Sequence, residues 1–213
     1  MECCPDGDDD DADKPTLSAE AIAALAEFYA EKNGLTGTTI DEDWQLSQFW
    51  YTEETAIKLA EECASAVDCG GRIACVSCPT LVDYLLRNER VTSGHVTIRL
   101  FEYDRRFLSK FPEEFVFYDY NEPLKIQEDC RNAFDLVVID PPFLSDECLV
   151  KMAQTVRMLA TGCQSKLLIC TGVAMTDLVK RLFGAHKCNF EPKHQHNLAN
   201  EFACFANYET RFL

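Results

Sequence analysis

The chain has 213 residues, 47% apolar and 26% charged, a globular composition with enough apolar side chain for a full-sized core. It carries no uncharged apolar run long enough to span a bilayer, and its acidic start (Met1 to Asp8) is unlike a secretory signal, so a cytoplasmic protein without a membrane segment is expected. Acids outnumber bases 36 to 20, a net charge of −16, and without the seven acids that precede Lys14 the count is still 29 to 20, which argues against a duplex nucleic-acid binder and for a protein or small-molecule substrate.

Residues 1–15 read as a disordered, solvated acidic tail ended by Pro15, and 16–213 as one domain with a helical extension at its start. Residues 18–31 are strong helix formers with Ser18 as N-cap, and Gly34 to Thr39 breaks that helix. The aromatic segment Trp44–Tyr51 precedes a second helix that starts at Thr52, with Glu53 and Glu54 at its positive end, and runs to about Val67. From Arg72 the rhythm changes. Strand-like runs at 72–77, 96–102, 115–118, 135–140 and 166–171 alternate with helical stretches opened by Pro79, near 104–110, at 145–159 and near 175–183. Continuous apolar runs such as Leu136–Ile139 fit strands covered on both faces, so the alternation predicts a parallel, doubly wound α/β sheet. Two strand-like runs at 188–192 and 202–208 have no helix between them and predict a closing antiparallel hairpin.

The twelve cysteines are scattered, many inside apolar runs, and read as free buried thiols of a reducing compartment. Cys75-Val-Ser-Cys78 lacks a second pair at zinc-finger spacing, and His194 with His196 reads as a surface pair, so no metal site is expected.

Ligands of an open α/β sheet sit outside the carboxyl ends of its strands. There the chain offers Ser77-Cys-Pro-Thr80, Phe101-Glu-Tyr-Asp104, Tyr118-Asp-Tyr120 and Ile139-Asp-Pro-Pro-Phe143. Glu102 closes the second strand and can accept from two ribose hydroxyls, with Asp104 beside it capping the next helix. Asp119 can accept from the exocyclic amine of an adenine, and Tyr120 offers a stacking face. Taken singly, such acids are better explained as caps and solvated turn residues, whereas three at consecutive strand ends point to a nucleoside-like ligand. Asp140-Pro141-Pro142-Phe143 is the sharpest feature. The residue before proline is held extended, Pro141 fixes its own φ, and neither proline has an N–H. The result is a rigid corner of acceptors, suited to orienting an amine nucleophile, with Phe143 free to stack on a planar base or a cationic amine.

An Asp/Asn-Pro-Pro-aromatic sequence at the end of the fourth strand resembles the signature of S-adenosylmethionine-dependent amine N-methyltransferases, and five alternating units plus a terminal hairpin resemble their Rossmann-like, seven-stranded fold. More closely, Gln45–Thr52, Phe101–Phe107, Phe117–Asn121 and Asp140–Phe143 together resemble the eukaryotic elongation factor 1-alpha lysine methyltransferase family, once described as N6-adenine-specific DNA methyltransferase-like. The resemblance runs from about residue 18 to the end of the chain. It implies S-adenosylmethionine as cofactor, elongation factor 1-alpha as protein substrate, and Asp140, Pro141, Pro142 and Phe143 as the lining of the target-amine pocket. It further implies Glu102 at the cofactor ribose, Asp119 and Tyr120 at its adenine, and Phe49, Trp50 and Tyr51 closing over the site, where they could equally form a hydrophobic staple for the helix at Thr52. The turn after the first strand has no glycine, so Ser77, Cys78 and helix-terminal amides after Pro79 are expected to hold the methionine end. Two other readings stay open: N6-adenine methylation of RNA or DNA, and a non-catalytic pseudo-methyltransferase that serves as an interaction module.

Overall fold

Alternation of strand and helix produces a single sheet. The computed structural model describes residues 40–196 and 198–213, so the expected acidic tail and the helix over 18–31 lie outside the described residues. Strands β1 (Gly71–Val76), β2 (Val96–Glu102), β3 (Phe115–Phe117), β4 (Leu136–Ile139), β5 (Lys166–Gly172), β6 (His186–Lys187) and β7 (Phe202–Ala206) assemble in the order β3-β2-β1-β4-β5-β7-β6. β1 to β5 pair in parallel, and β7 runs antiparallel to both β5 and β6. This is the expected Rossmann-like, mostly parallel sheet with an antiparallel C-terminal pair.

Successive side chains of the inner strands enter opposite cores, which is why these strands read as unbroken apolar runs. Ile73 and Cys75 of β1, Leu136 and Val138 of β4, and Leu168 and Cys170 of β5 pack on one face; Ala74, Val76, Val137, Ile139 and Ile169 pack on the other. The first face is covered by α1 (Glu53–Ala66), α2 (Pro79–Leu85) and, from α4 (Arg106–Lys110), Phe107; the short α3 (Glu89–Thr92) leads into β2. The second face is covered by α5 (Asp146–Leu159) and α6 (Thr176–Phe183). α5 buries Leu149, Met152, Val156 and Leu159 along one stripe, each contributing about 1.5–3 kcal/mol relative to an exposed position. Its N-cap, Ser145, accepts from the Cys148 N–H at 3.2 Å.

The run at 188–192 departs from expectation, because the penultimate strand of the chain is only His186–Lys187. The Cys188 N–H still donates to the Cys204 carbonyl, but the chain then leaves the sheet towards the aromatic segment. There Thr52 N–H donates to Lys193 O and Gln195 N–H to Trp50 O, both at 2.8 Å, and Tyr51 forms an isolated antiparallel bridge with His194. Backbone groups that would have extended a hairpin are spent on this second pairing. Among the described residues, no helix is long and apolar enough to cross a membrane.

Candidate active site

Between β1 and β4 the strand order reverses, and side chains at the strand tips splay to leave a crevice. A cavity of about 390 Å³ occupies this place, a size suited to a nucleoside-like ligand. Its floor is the rigid corner Asp140, Pro141 and Pro142, with Phe143 and Leu144 at one side. Ser77, Pro79 and Thr80 approach from the β1–α2 turn, Glu102 and Tyr103 from β2, and Tyr118, Asp119, Tyr120 and Asn121 from the segment after β3. Gln45 to Trp50 and residues of the loop before β7 (His194, Leu198, Asn200 and Phe202) close it.

Eleven of the fourteen residues singled out from sequence line this cavity: Asp140, Pro141, Pro142, Phe143, Glu102, Asp119, Tyr120, Ser77, Pro79, Phe49 and Trp50. Cys78, Asp104 and Tyr51 do not. Cys78 is buried, with its Sγ turned to the Val138 carbonyl, and beside Cys75 it belongs to the core. Asp104 is a strut. Its carboxylate accepts from the Arg106 backbone N–H (2.9 Å), pairs with the Arg106 guanidinium (2.7 Å) and accepts from Gln48 Nε2 (3.0 Å), which fastens the 43–48 turn to the mouth of β2. Tyr51 is buried next to the cavity without lining it, and its hydroxyl donates to Asp140 Oδ2 at 2.6 Å.

The absent glycine after β1 has a specific substitute. Ser77 stands in the left-handed region at φ 56°, the backbone shape a glycine would take up without strain, so the turn still brings the main chain against the cavity. α2 follows with Pro79 at its first position and no side-chain cap at Cys78.

Two carboxyls face one another electrostatically across the site. Glu102 is 6% exposed, and its Oε1 accepts from the Tyr103 and Asp104 N–H groups at 2.9 and 3.0 Å. Its second oxygen has no hydrogen-bond partner among the described residues. Burial, reinforced by the Asp104 charge and opposed by those two N–H donors, pushes Glu102 up to about 7. Burial likewise pushes Asp140 up to about 7, with the Glu102 charge adding to it and the Tyr51 hydrogen bond working against it. Among the described residues, no group of three or more His, Cys, Asp or Glu side chains is placed to hold a metal ion.

The sequence profile described as "Probable N6-adenine methyltransferase" matches residues 42–210. The human EEF1A lysine methyltransferase 1 is 46% identical over 211 residues, 94% of this chain and 95% of its own length. A protein-lysine N-methyltransferase of Caenorhabditis elegans is 46% identical over 94% of this chain and 97% of its own. One from Saccharomyces cerevisiae is 35% identical over 91% and 92%. The chain belongs to the EEF1A lysine methyltransferase family. Among solved structures, the C9 mutein of the branched-chain polyamine synthase of Thermus thermophilus, in complex with N4-aminopropylspermidine and 5'-methylthioadenosine, matches with a TM-score of 0.57 at 13% identity, over 85% of this chain and 62% of that one. That likeness is one of fold. Family and fold together make this family member an S-adenosylmethionine-dependent methyltransferase. The residues present fit that cofactor: a nucleoside-sized cavity opens at the strand reversal, a carboxylate oxygen without a partner among the described residues lies at the tip of β2, and the strained Ser77 backbone stands beside it.

Sequence reading missed the lining residues Gln45, Gln48, Tyr103, Tyr118, His194, Leu198, Asn200 and Phe202. Tyr118 and Tyr103 sit next to chosen strand-end acids and were within reach of the same argument. His194 and Phe202 were not, since nothing local in residues 191–202 signals that this loop folds back onto residues 50–52.

Proposed function

We propose that this chain methylates a lysine of translation elongation factor 1-alpha, using S-adenosylmethionine and acting in the cytoplasm on protein rather than nucleic acid. One observation carries the chemistry: Asp140, whose Oδ1 has no hydrogen-bond partner among the described residues, lines the same cavity as Glu102. An amine acceptor and a ribose acceptor therefore share one chamber. The choice of substrate rests on relatives that are named EEF1A lysine methyltransferase and match nearly the whole chain. The buried, unpaired thiols Cys63, Cys75 and Cys148 are in keeping with a reducing compartment.

S-adenosylmethionine supplies a sulfonium methyl; as the amine lone pair forms the N–C bond, the S–C bond breaks and its electron pair stays on sulfur. Glu102 holds the ribose end, Asp119 and Tyr120 the adenine, and Ser77 with Pro79 the methionine end. Asp140 and the carbonyls around Pro141 receive the lysine nitrogen, and Phe143, whose ring lies 5.7 Å from that of Tyr120, walls the entrance. Phe49 and Trp50 exclude water. A free lysine has a pKa of about 10.4, so the site must first take a proton from it.

The test is incubation with labelled cofactor and cell extract, treated separately with protease and nuclease. Label on elongation factor 1-alpha that protease removes supports the reading. Asp140→Ala should lower turnover by at least about a hundredfold while S-adenosylhomocysteine still binds in calorimetry. Near-normal turnover in that variant would refute the role given to Asp140. N6-adenine methylation is the second reading, favoured by the description of the matching family and by the Tyr120–Phe143 aromatic pair, and label lost to nuclease would select it. No binding of S-adenosylhomocysteine would instead select a non-catalytic module.

A further inference from the structure

Tyr51 touches the amine-receiving corner without itself lining the cavity. It is 3% exposed, fixed through its backbone by the bridge to His194, and its ring packs 4.9 Å from the His194 ring. A staple for α1 needs only an apolar ring at this position, and phenylalanine would fill the same space. The hydroxyl therefore calls for its own explanation, and its partner is the Asp140 carboxyl at 2.6 Å, a short charge-assisted bond. That bond occupies Oδ2 and leaves Oδ1, on a residue that lines the cavity, without a hydrogen-bond partner among the described residues. On the backbone, Asp140 N–H donates to Val76 O and Pro141 offers no N–H, so Tyr51 supplies the side-chain hydrogen bond that fixes how the carboxyl is turned.

We propose that Tyr51 is a positioning residue for methyl transfer: its hydroxyl turns the Asp140 carboxyl so that Oδ1 faces the incoming lysine nitrogen, takes its proton and leaves the lone pair aimed into the cavity. The inference rests on the reading of Asp140 given above. The proton balance is simple. The ammonium N–H gives its proton to Asp140 Oδ1, that proton passes to solvent water, and no other bond changes. Tyr51 keeps its own proton throughout, because burial and the neighbouring Asp140 charge hold its phenol far above its ordinary range.

The groups facing Asp140 set the sign of the pH effect. They are Tyr51 from the segment before α1, Glu102 from the tip of β2, and the thiols of Cys78 and Cys204 from the turn after β1 and from β7, while Cys170 of β5 and His194 stand near Tyr51. Of these, the Tyr51 hydrogen bond favours the charged carboxylate, and burial and Glu102 disfavour it. Without the hydroxyl, Asp140 ionises at higher pH.

The experiment compares Tyr51→Phe with the unmodified protein, using labelled cofactor and elongation factor 1-alpha, from pH 6 to 9. We expect kcat at neutral pH to fall about ten- to a hundredfold, with KM for the protein substrate and the affinity for S-adenosylhomocysteine changed less than about threefold. The acidic limb of the kcat profile should move to higher pH. A variant with unchanged kcat and an unmoved limb overturns the proposal, as does a fall in kcat with the limb in place, which would mark a merely structural role. Should the phenylalanine variant not fold, a fluorinated tyrosine at position 51, isosteric and a stronger donor, should move the limb to lower pH, and no movement overturns the proposal. If the unmodified protein transfers no label at any pH, the underlying assignment of Asp140 fails and this one with it.

Discussion

Glu102 and Asp140 are each pushed up to about 7 by burial, against ordinary carboxyl values near 4. Between those limits each retains a proton in the folded chain that it would shed on unfolding. The folded state therefore binds more protons, and its stability falls as pH rises through about 7. Thermal melting of the ligand-free protein should accordingly give a higher Tm at pH 5 than at pH 8, and Glu102→Gln should shrink that difference; a Tm that rises across the interval would contradict the burial of both groups. These acids were legible in the sequence because Asp140 directly follows an unbroken apolar run and Glu102 ends a β-rich one, so each place at a strand tip needed no tertiary knowledge. Tyr51 was legible as an aromatic of the site but not in its role, since its partner stands 89 residues away. Asp104 illustrates a local reading that was half complete. Accepting from the Arg106 N–H is a neighbour effect, whereas holding Gln48 depends on the turn at 43–48.

At the level of elements, the helix starts were readable because capping is short-ranged. Thr52 accepts from the Thr55 N–H and Ser145 from the Cys148 N–H, at the two positions where the sequence reading starts those helices. The β1–α2 turn shows the opposite situation, in which a rule about residue type concealed the shape of the backbone. Ser77 adopts the positive φ without being glycine, at a cost of about 1–2 kcal/mol. Ser77→Gly should thus keep stability within about 0.5 kcal/mol, while Ser77→Val, β-branched in a left-handed conformation, should lose about 2 kcal/mol in denaturant unfolding. Equal effects of the two would mean that the turn relaxes. The last strands were read correctly in kind and misplaced in detail. Period-two apolarity at 188–192 is real, but Pro192 and the pull of residues 50–52 divert the chain, and no local pattern encodes that competition.

For the molecule as a whole, the net charge of −16 is a property of the sequence that needs no fold to interpret. An acidic enzyme attracts a basic partner through a field that salt screens over about 10 Å at 0.1 M. KM for elongation factor 1-alpha should therefore rise several-fold between low and high ionic strength while kcat changes little, and a salt-independent KM would point to recognition by apolar contact alone. The parallel, doubly wound character of the sheet was legible because alternation of strand and helix leaves few topologies. How the far end of the chain is secured was not. Glu62, in the middle of α1 and 1% exposed, accepts from the backbone N–H groups of Arg211 and Phe212 at 2.9 and 2.8 Å. α1 begins two residues after Tyr51, so a stiff rod links the last described turn of the polypeptide to the carboxyl that meets the nitrogen. Alterations at 211 or 212, remote from the chamber in sequence, can in this way register as slower turnover, and a handle fused beside them pulls on the reaction centre itself.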